Sequence, residues 1–227
     1  MPVTTCIFDA YGTLFDVAAA ARIAAGEPGN EALAAHWPAL AETWRRKQLE
    51  YSWLRAVQGD HCSFWKVTED GLDWAMEAQG LAGSGLRQRL LDLYWQLPAY
   101  PEVPALLRTL QDRGLNTAIL SNGSPEMLTA AAKSAGIEAL LDDLLSVEEV
   151  GIFKPAAPVY ELVCQRFGGS PAHVLFVSSN GWDAAAASAY GFHSVWVNRS
   201  GLPMDRLTGQ PQTVLDTLEP IADLEVF

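Results

Sequence analysis

An apolar run, Val3 to Phe8, stops at an acid, Asp9, and the next strand-like run does not come until Asn116. That interval constrains the fold more than any other feature of the chain. Val3 to Phe8 has the length and apolar content of a short buried strand. Residues 16–97 carry helical periodicity and almost no strand signal. From Pro98 onward strands and helices alternate. The pattern reads as a helix from Pro101-Glu102-Val103-Pro104 to Arg113, a strand over Asn116 to Leu120, and a helix capped by Ser124 with Pro125 at its first position. A short strand follows near Leu144 to Ser146, then a helix from Lys154-Pro155 to Phe167, and a buried strand over Val174 to Val177. Next come a helix to Tyr190, a strand over His193 to Val197, and a short final helix within Gln212 to Leu224. Such alternation predicts a doubly wound parallel sheet of the Rossmann-like α/β class. The first strand belongs to the same sheet, so residues 1–15 and 98–227 form one core domain and residues 16–97 an inserted helical cap domain.

Within the insertion, Leu40, Trp44, Tyr51 and Leu54 fall near one helical face, and Arg45, Leu49 and Trp53 lie at a spacing of four on a neighbouring face. Six of the eight tryptophans lie here, namely Trp37, Trp44, Trp53, Trp65, Trp74 and Trp95, and most of them read as helix-bundle core. The insertion follows the end of the first strand and so is placed as a lid. No internal repeat or low-complexity tract interrupts the chain.

The net charge of −12 argues against a nucleic-acid surface. No apolar run is long enough to span a bilayer, and the start lacks a basic segment followed by an apolar one. Three cysteines, Cys6, Cys62 and Cys164, are sparse and lack metal-ligand spacing. A cytoplasmic protein with reduced thiols is the expectation. An anionic substrate must be drawn by local cations, because the global field repels it.

In this topology Asp9, Ser121-Asn122, Lys154 and the segment Ser178 to Asp183 each fall at the carboxyl end of a strand or the start of the next helix. Open α/β sheets bind ligands at that rim. Each segment alone has a plain alternative: Asp9 as a turn or cap residue, Ser-Asn as turn chemistry, Lys-Pro as an exposed helix start. Four of them on one rim point to a site, and a carboxylate there can act as a nucleophile.

The motifs FDAYGT, LSNGS, FKP and SSNGWD, in this order, resemble those of the haloacid dehalogenase superfamily. The helical segment WRRKQLEYSWL, the undivided SNGSP and the sequence VSSNGWD resemble its L-2-haloacid dehalogenases over nearly the whole chain. The resemblance implies a metal-independent, cofactor-free hydrolysis of (S)-2-haloacids to (R)-2-hydroxyacids through an aspartyl ester on Asp9. It assigns halide binding to Arg45, Asn122 and Trp182, orientation of Asp9 to Thr13 and Lys154, and handling of water to Asp183 with Ser178 and Asn180. Ser121 and the backbone at Ala10, Tyr11 and Asn122 would bind the substrate carboxylate. Leu49, Phe64, Tyr11 and Trp182 would wall the alkyl pocket. Tyr160 matches a functional tyrosine, with helix packing as its alternative. The family commonly forms homodimers.

Most members of the superfamily are phosphatases, with a second acid two residues after the nucleophile and further acids for Mg²⁺. Here those positions hold Tyr11 and Ser178-Ser179-Asn180, so the ligands for a hard cation are mostly missing. Halide, the base of a strong acid, leaves without protonation. A phosphatase and a catalytically silent binding protein remain the alternatives. Arg46 stands where many family members carry Gln, facing either the site or solvent.

Overall fold

The computed structural model describes residues 2–83 and 85–227. Six parallel strands run in the order β3-β2-β1-β4-β5-β6. They are β1 (Thr5–Phe8), β2 (Asn116–Ser121), β3 (Asp143–Ser146), β4 (Val174–Ser178), β5 (His193–Val197) and β6 (Thr213–Leu215). β1 and β4 are buried throughout, as continuous apolar strands in the middle of a parallel sheet must be. The strand order reverses between β1 and β4, which is where such sheets open a crevice. Register then sets the site: Phe8 lies beside both Ile119 and Val177, so Asp9, Ser121 and Ser178 emerge close together.

Among the described residues, five helices separate β1 from the rest of the sheet: α1 (Ala19–Ala25), α2 (Glu31–Ala34), α3 (Trp37–Gln58), α4 (Phe64–Ala78) and α5 (Leu86–Tyr94). α3 packs along α4, and α1 packs on α3 and α5. The chain leaves and returns at adjacent points. The Asp16 N–H donates to Pro98 O at 3.0 Å and the Tyr100 N–H to Leu14 O at 2.9 Å. α6 (Val103–Asp112), α7 (Pro125–Ser134), α8 (Ala157–Phe167) and α9 (Gly181–Tyr190) complete the α/β pattern. The Ser124 hydroxyl caps α7 by accepting from the Met127 N–H, as predicted.

Two expectations need correction. The tail holds the edge strand β6 before a short 3₁₀ helix over Glu219–Asp223, not simply a helix. β6 spans only three residues at the rim of the sheet, too few to show a period. Leu54, placed on the buried face of α3, is half exposed; the buried side chains there are Leu40, Trp44, Lys47, Gln48 and Ser52. Of the six tryptophans, Trp44 is fully buried and Trp37, Trp65 and Trp95 pack partly buried against the core, so most of them belong to it, as expected. Trp65 and Trp95 pair with each other, Trp74 lies under Lys47, and Trp53 reaches Trp182. Large aromatic rings hold partners at the edge of a bundle as readily as in its centre.

Candidate active site

Asp9 follows β1 directly and is almost entirely buried. Its backbone N–H donates to Val177 O at 2.9 Å, tying it to the end of β4. Gly12, at φ +89°, turns the chain back so that the Thr13 hydroxyl donates to Asp9 Oδ2 at 2.9 Å. Asn180 Nδ2 donates to the same oxygen at 3.0 Å. Lys154 Nζ faces the other oxygen, Oδ1, at 3.3 Å. That lysine is 1% exposed and also pairs with Asp183 Oδ2 at 2.8 Å. A buried cation is tolerated only when paired this closely.

Asp183 is sealed behind Lys154, and Tyr160 donates to its Oδ1 at 2.7 Å. Burial pushes the Asp183 carboxyl above its ordinary value; Lys154 pulls it back, Asp9 adds to the rise, and the hydrogen bonds from Lys154 and Tyr160 lower it. Burial, then Asp183 itself, holds the Tyr160 phenol well above the usual range, so it stays a donor. Tyr160 thus packs in the core through its ring and hydrogen-bonds Asp183 through its hydroxyl.

On α3, Arg45 Nη2 donates to Tyr11 O at 3.0 Å and to Asn180 Oδ1 at 3.2 Å. Asn180 therefore links the Arg45 guanidinium to the Asp9 carboxylate. Its backbone N–H donates to Ser178 Oγ, which shapes the turn after β4 without touching Asp9 directly. Asn122 Oδ1 accepts from the Lys154 N–H at 2.9 Å, and Ser121 Oγ accepts from the Gly123 N–H at 3.1 Å. The backbone N–H groups of Ala10, Tyr11 and Asn122 have no acceptor among the described residues. Trp182 Nε1 is also buried with none.

Asp9, Tyr11, Arg45, Leu49, Phe64, Ser121, Asn122, Lys154, Asn180 and Trp182 line one small cavity of about 10 Å³, enough for about one water molecule. Thr13, Tyr160, Ser178 and Asp183 lie behind this wall, and Ala10 contributes backbone. Tyr11 stacks on Tyr94 at 5.6 Å and packs on Phe64 at 5.8 Å. Gly123 admits that ring: a Cβ there would stand 2.8 Å from Tyr11 Cε2. Arg46 is exposed and lies over Trp74, 5.8 Å from the ring centre, outside the cavity lining.

Sequence reasoning missed Ser179, whose N–H donates to Thr13 Oγ1 at 2.8 Å and so fixes that hydroxyl beside Asp9. The double serine in SSNGWD was the available signal. It also missed the buried network under Tyr11, in which Gln48 Nε2 donates to Tyr94 OH at 3.0 Å and Thr68 Oγ1 at 2.9 Å. Trp53 was on the stripe with Arg45 and Leu49, yet its contact with Trp182 depends on how α3 docks.

Among the described residues, no three His, Cys, Asp or Glu side chains converge as metal ligands. The two acids that do approach each other both point at the Lys154 ammonium.

A carboxylate held in this way at the reversal of a parallel sheet marks a Rossmann-like α/β enzyme. Residues 3–191 match the family model described as haloacid dehalogenase-like hydrolase, and the chain belongs to that family. Among its relatives is (S)-2-haloacid dehalogenase 1 of Pseudomonas sp. (strain CBS-3), 41% identical over 98% of this chain and 96% of the relative. A dehalogenase solved with an intermediate complex is 37% identical, covers 100% of this chain and 98% of its own, and superimposes with a TM-score of 0.93. The L-2-haloacid dehalogenase of Xanthobacter autotrophicus, solved with chloropropionic acid covalently bound, is 35% identical over 98% of each chain, with a TM-score of 0.85.

Proposed function

We propose that the chain is a metal-independent (S)-2-haloacid dehalogenase that works through an ester on Asp9. The observation that carries this reading is the buried Asp9 carboxylate, with Thr13 and Asn180 on one oxygen and Lys154 beside the other. Oδ2 takes two hydrogen bonds and Oδ1 only the longer approach of Lys154, so Oδ1 is the nucleophile. It displaces halide at C2 in line and inverts the carbon. The halide departs toward the Arg45 guanidinium and the unpartnered Trp182 N–H, with Asn122 at the rim; preorganised donors aimed at developing charge are the main source of acceleration. The substrate carboxylate takes the free N–H groups of Ala10, Tyr11 and Asn122 and the Ser121 hydroxyl. The C2 substituent lies among Leu49, Phe64, Tyr11 and Trp182.

Water then attacks the carbonyl carbon of the ester. The new C–O bond forms there, the alkyl oxygen leaves with a proton as the 2-hydroxy acid, and Asp9 returns as a carboxylate. Ionised Asp183, with both oxygens hydrogen-bonded, anchors Lys154 and orients the water through that ammonium, while the proton of the water passes to the departing alkyl oxygen. Ser178 and Asn180 hold the turn that brings these groups together.

Phosphoryl transfer is a poorer fit. The position of a phosphatase acid is Tyr11, whose phenol is driven well above its ordinary value chiefly by burial and then by Tyr94 and Asp9. It is therefore a weak acid and protonates a leaving group poorly near neutral pH. Ser178-Ser179-Asn180 stand where further acids would hold a hard cation. The intact Asp9, Thr13, Lys154 and Asp183 constellation likewise disfavours a silent binding protein.

We propose the domain division that the same geometry supports. Residues 1–15 and 98–227 serve as the core and residues 16–97 as the cap, which supplies Arg45, Leu49 and Phe64. We further propose a cytoplasmic homodimer, for which the exposed Leu202 and Met204 offer apolar surface.

Halide release from (S)- and (R)-2-chloropropionate, with and without EDTA, tests the reading. Release from the (S) form alone, unaffected by chelator, is expected. Equal rates on both enantiomers, or strict Mg²⁺ dependence, would overturn it. Arg45→Lys keeps the charge and loses the planar fork, so its turnover should fall roughly 10- to 1000-fold, the scale of a lost transition-state donor; turnover near wild type would make Arg45 an ordinary rim arginine.

Tyr160→Phe gives a pH-dependent readout. Asp183 must be ionised, and its carboxyl already lies above the ordinary value, so activity is lost as pH falls through that raised value. Removing the Tyr160 hydrogen bond removes a lowering influence. The acid limb of the rate profile should therefore move to higher pH. A limb that stays in place would separate Tyr160 from Asp183.

A further inference from the structure

Trp182 is the one described residue that lines both the reaction cavity and a second, much larger space. The cavity at Asp9 holds about 10 Å³, whereas the neighbouring groove holds about 840 Å³. Binding sites for organic ligands are usually of the second size, apolar, with few polar groups. The groove fits that description. Its walls include Trp53 and Val57 on α3, Tyr160 on α8, Trp182 and Ala186 on α9, and Leu207 beyond β5. Between the two spaces stands an edge-to-face pair, Trp53 against Trp182, with ring centres 5.4 Å apart and planes at 87°. Trp53 sits one helical turn beyond Leu49, which walls the cavity. It is 38% exposed, so the pair is supported from one side only.

These facts bear on where a substrate's tail can go. Its carboxylate and C2 are held at the polar end of the cavity, and the C2 substituent points at Leu49 and Trp182. Beyond Trp182 the surroundings are apolar and open. We propose that the Trp53–Trp182 pair sets the chain length this enzyme accepts, narrowing the way from the reaction cavity into a groove that takes the alkyl tail of longer 2-haloalkanoic acids. The inference rests on the dehalogenase reading and extends it to a substrate class. Trp53 becomes a specificity-determining residue. Each methylene seated in the groove is worth about fourfold in kcat/KM, from the transfer of a CH₂ group out of water.

The test compares kcat/KM for (S)-2-bromopropanoate and (S)-2-bromooctanoate, read by bromide release, in wild type, Trp53→Ala and Ala186→Phe. Trp53→Ala widens that way and should raise the octanoate-to-propanoate ratio at least about tenfold. Ala186→Phe fills the groove and should lower it by a similar factor. Val57→Gln, at a position 87% exposed, makes the groove wall polar without disturbing packing and should lower the ratio about threefold. Calorimetric titration with octanoate and propanoate reads the groove without any turnover, so the two readings fail separately. Octanoate should bind at least about tenfold tighter than propanoate, and Ala186→Phe should remove the difference. Equal affinity for the two acids, or a ratio unmoved in all three variants, would overturn the proposal. So would a groove variant that changes only the sedimentation coefficient, since the groove would then be covered by a second copy of the chain.

Discussion

In H₂¹⁸O, with enzyme in excess over substrate, the first turnover yields 2-hydroxy acid that is mainly unlabelled, while the label enters the peptide containing Phe8-Asp9-Ala10. This result follows if Asp9 forms an ester and water attacks the carbonyl of that ester, because one oxygen of Asp9 then leaves with the product. The structure makes the two carboxylates unequal. Asp9 lines the reaction cavity, and Asp183 is sealed behind Lys154 with both oxygens hydrogen-bonded. Only Asp9 can meet C2. Asp9→Asn should lower turnover by at least about 10⁴-fold, as removal of a nucleophile does elsewhere, with recovery only on deamidation. Label in the first-turnover product and none in the peptide would make Asp9 a general base.

Lys154→Met removes the cation shared by two buried acids. Deleting one partner of a buried pair leaves an uncompensated charge and costs about 3–5 kcal/mol; here the lysine is 1% exposed and serves both Asp9 and Asp183. Urea unfolding should show that loss, and halide release should fall by roughly 10³-fold as the nucleophile loses its orientation. The pH dependence adds a sign. Lys154 is the main influence pulling Asp183 down against burial. Without it the folded carboxyl holds its proton more tightly than the unfolded one. The variant therefore recovers stability as pH falls and loses it as pH rises through the raised value. Stability and turnover close to wild type would show the ammonium to be dispensable.

The order of elements was legible in the residues because each signal is local. Val174 to Val177 reads as a covered strand, Ser124-Pro125 starts a helix by its own hydrogen bonds, and Asp9, Ser121, Lys154 and Asp183 sit at the end of a strand or about the start of the next helix whatever the packing. The parallel sheet follows from strand–helix alternation, and with it the rim on which these groups gather. The motif order led to the family that the comparisons establish.

Other features depend on how distant surfaces meet, and no local pattern encodes that. The Arg45 guanidinium reaches Tyr11 O and Asn180 only because α3 docks over β1. The same docking turns Trp53 onto Trp182 and leaves Leu54 half exposed. Thr13 and Ser179, 166 residues apart, share a hydrogen bond because β1 and β4 are neighbours at the reversal of the sheet. Sequence alone determined which residue types stand at the ends of the strands and which helices could cover them. The tertiary structure alone decided which acid faces the cavity and which is sealed behind Lys154, because burial and charge pairing are properties of the space between elements.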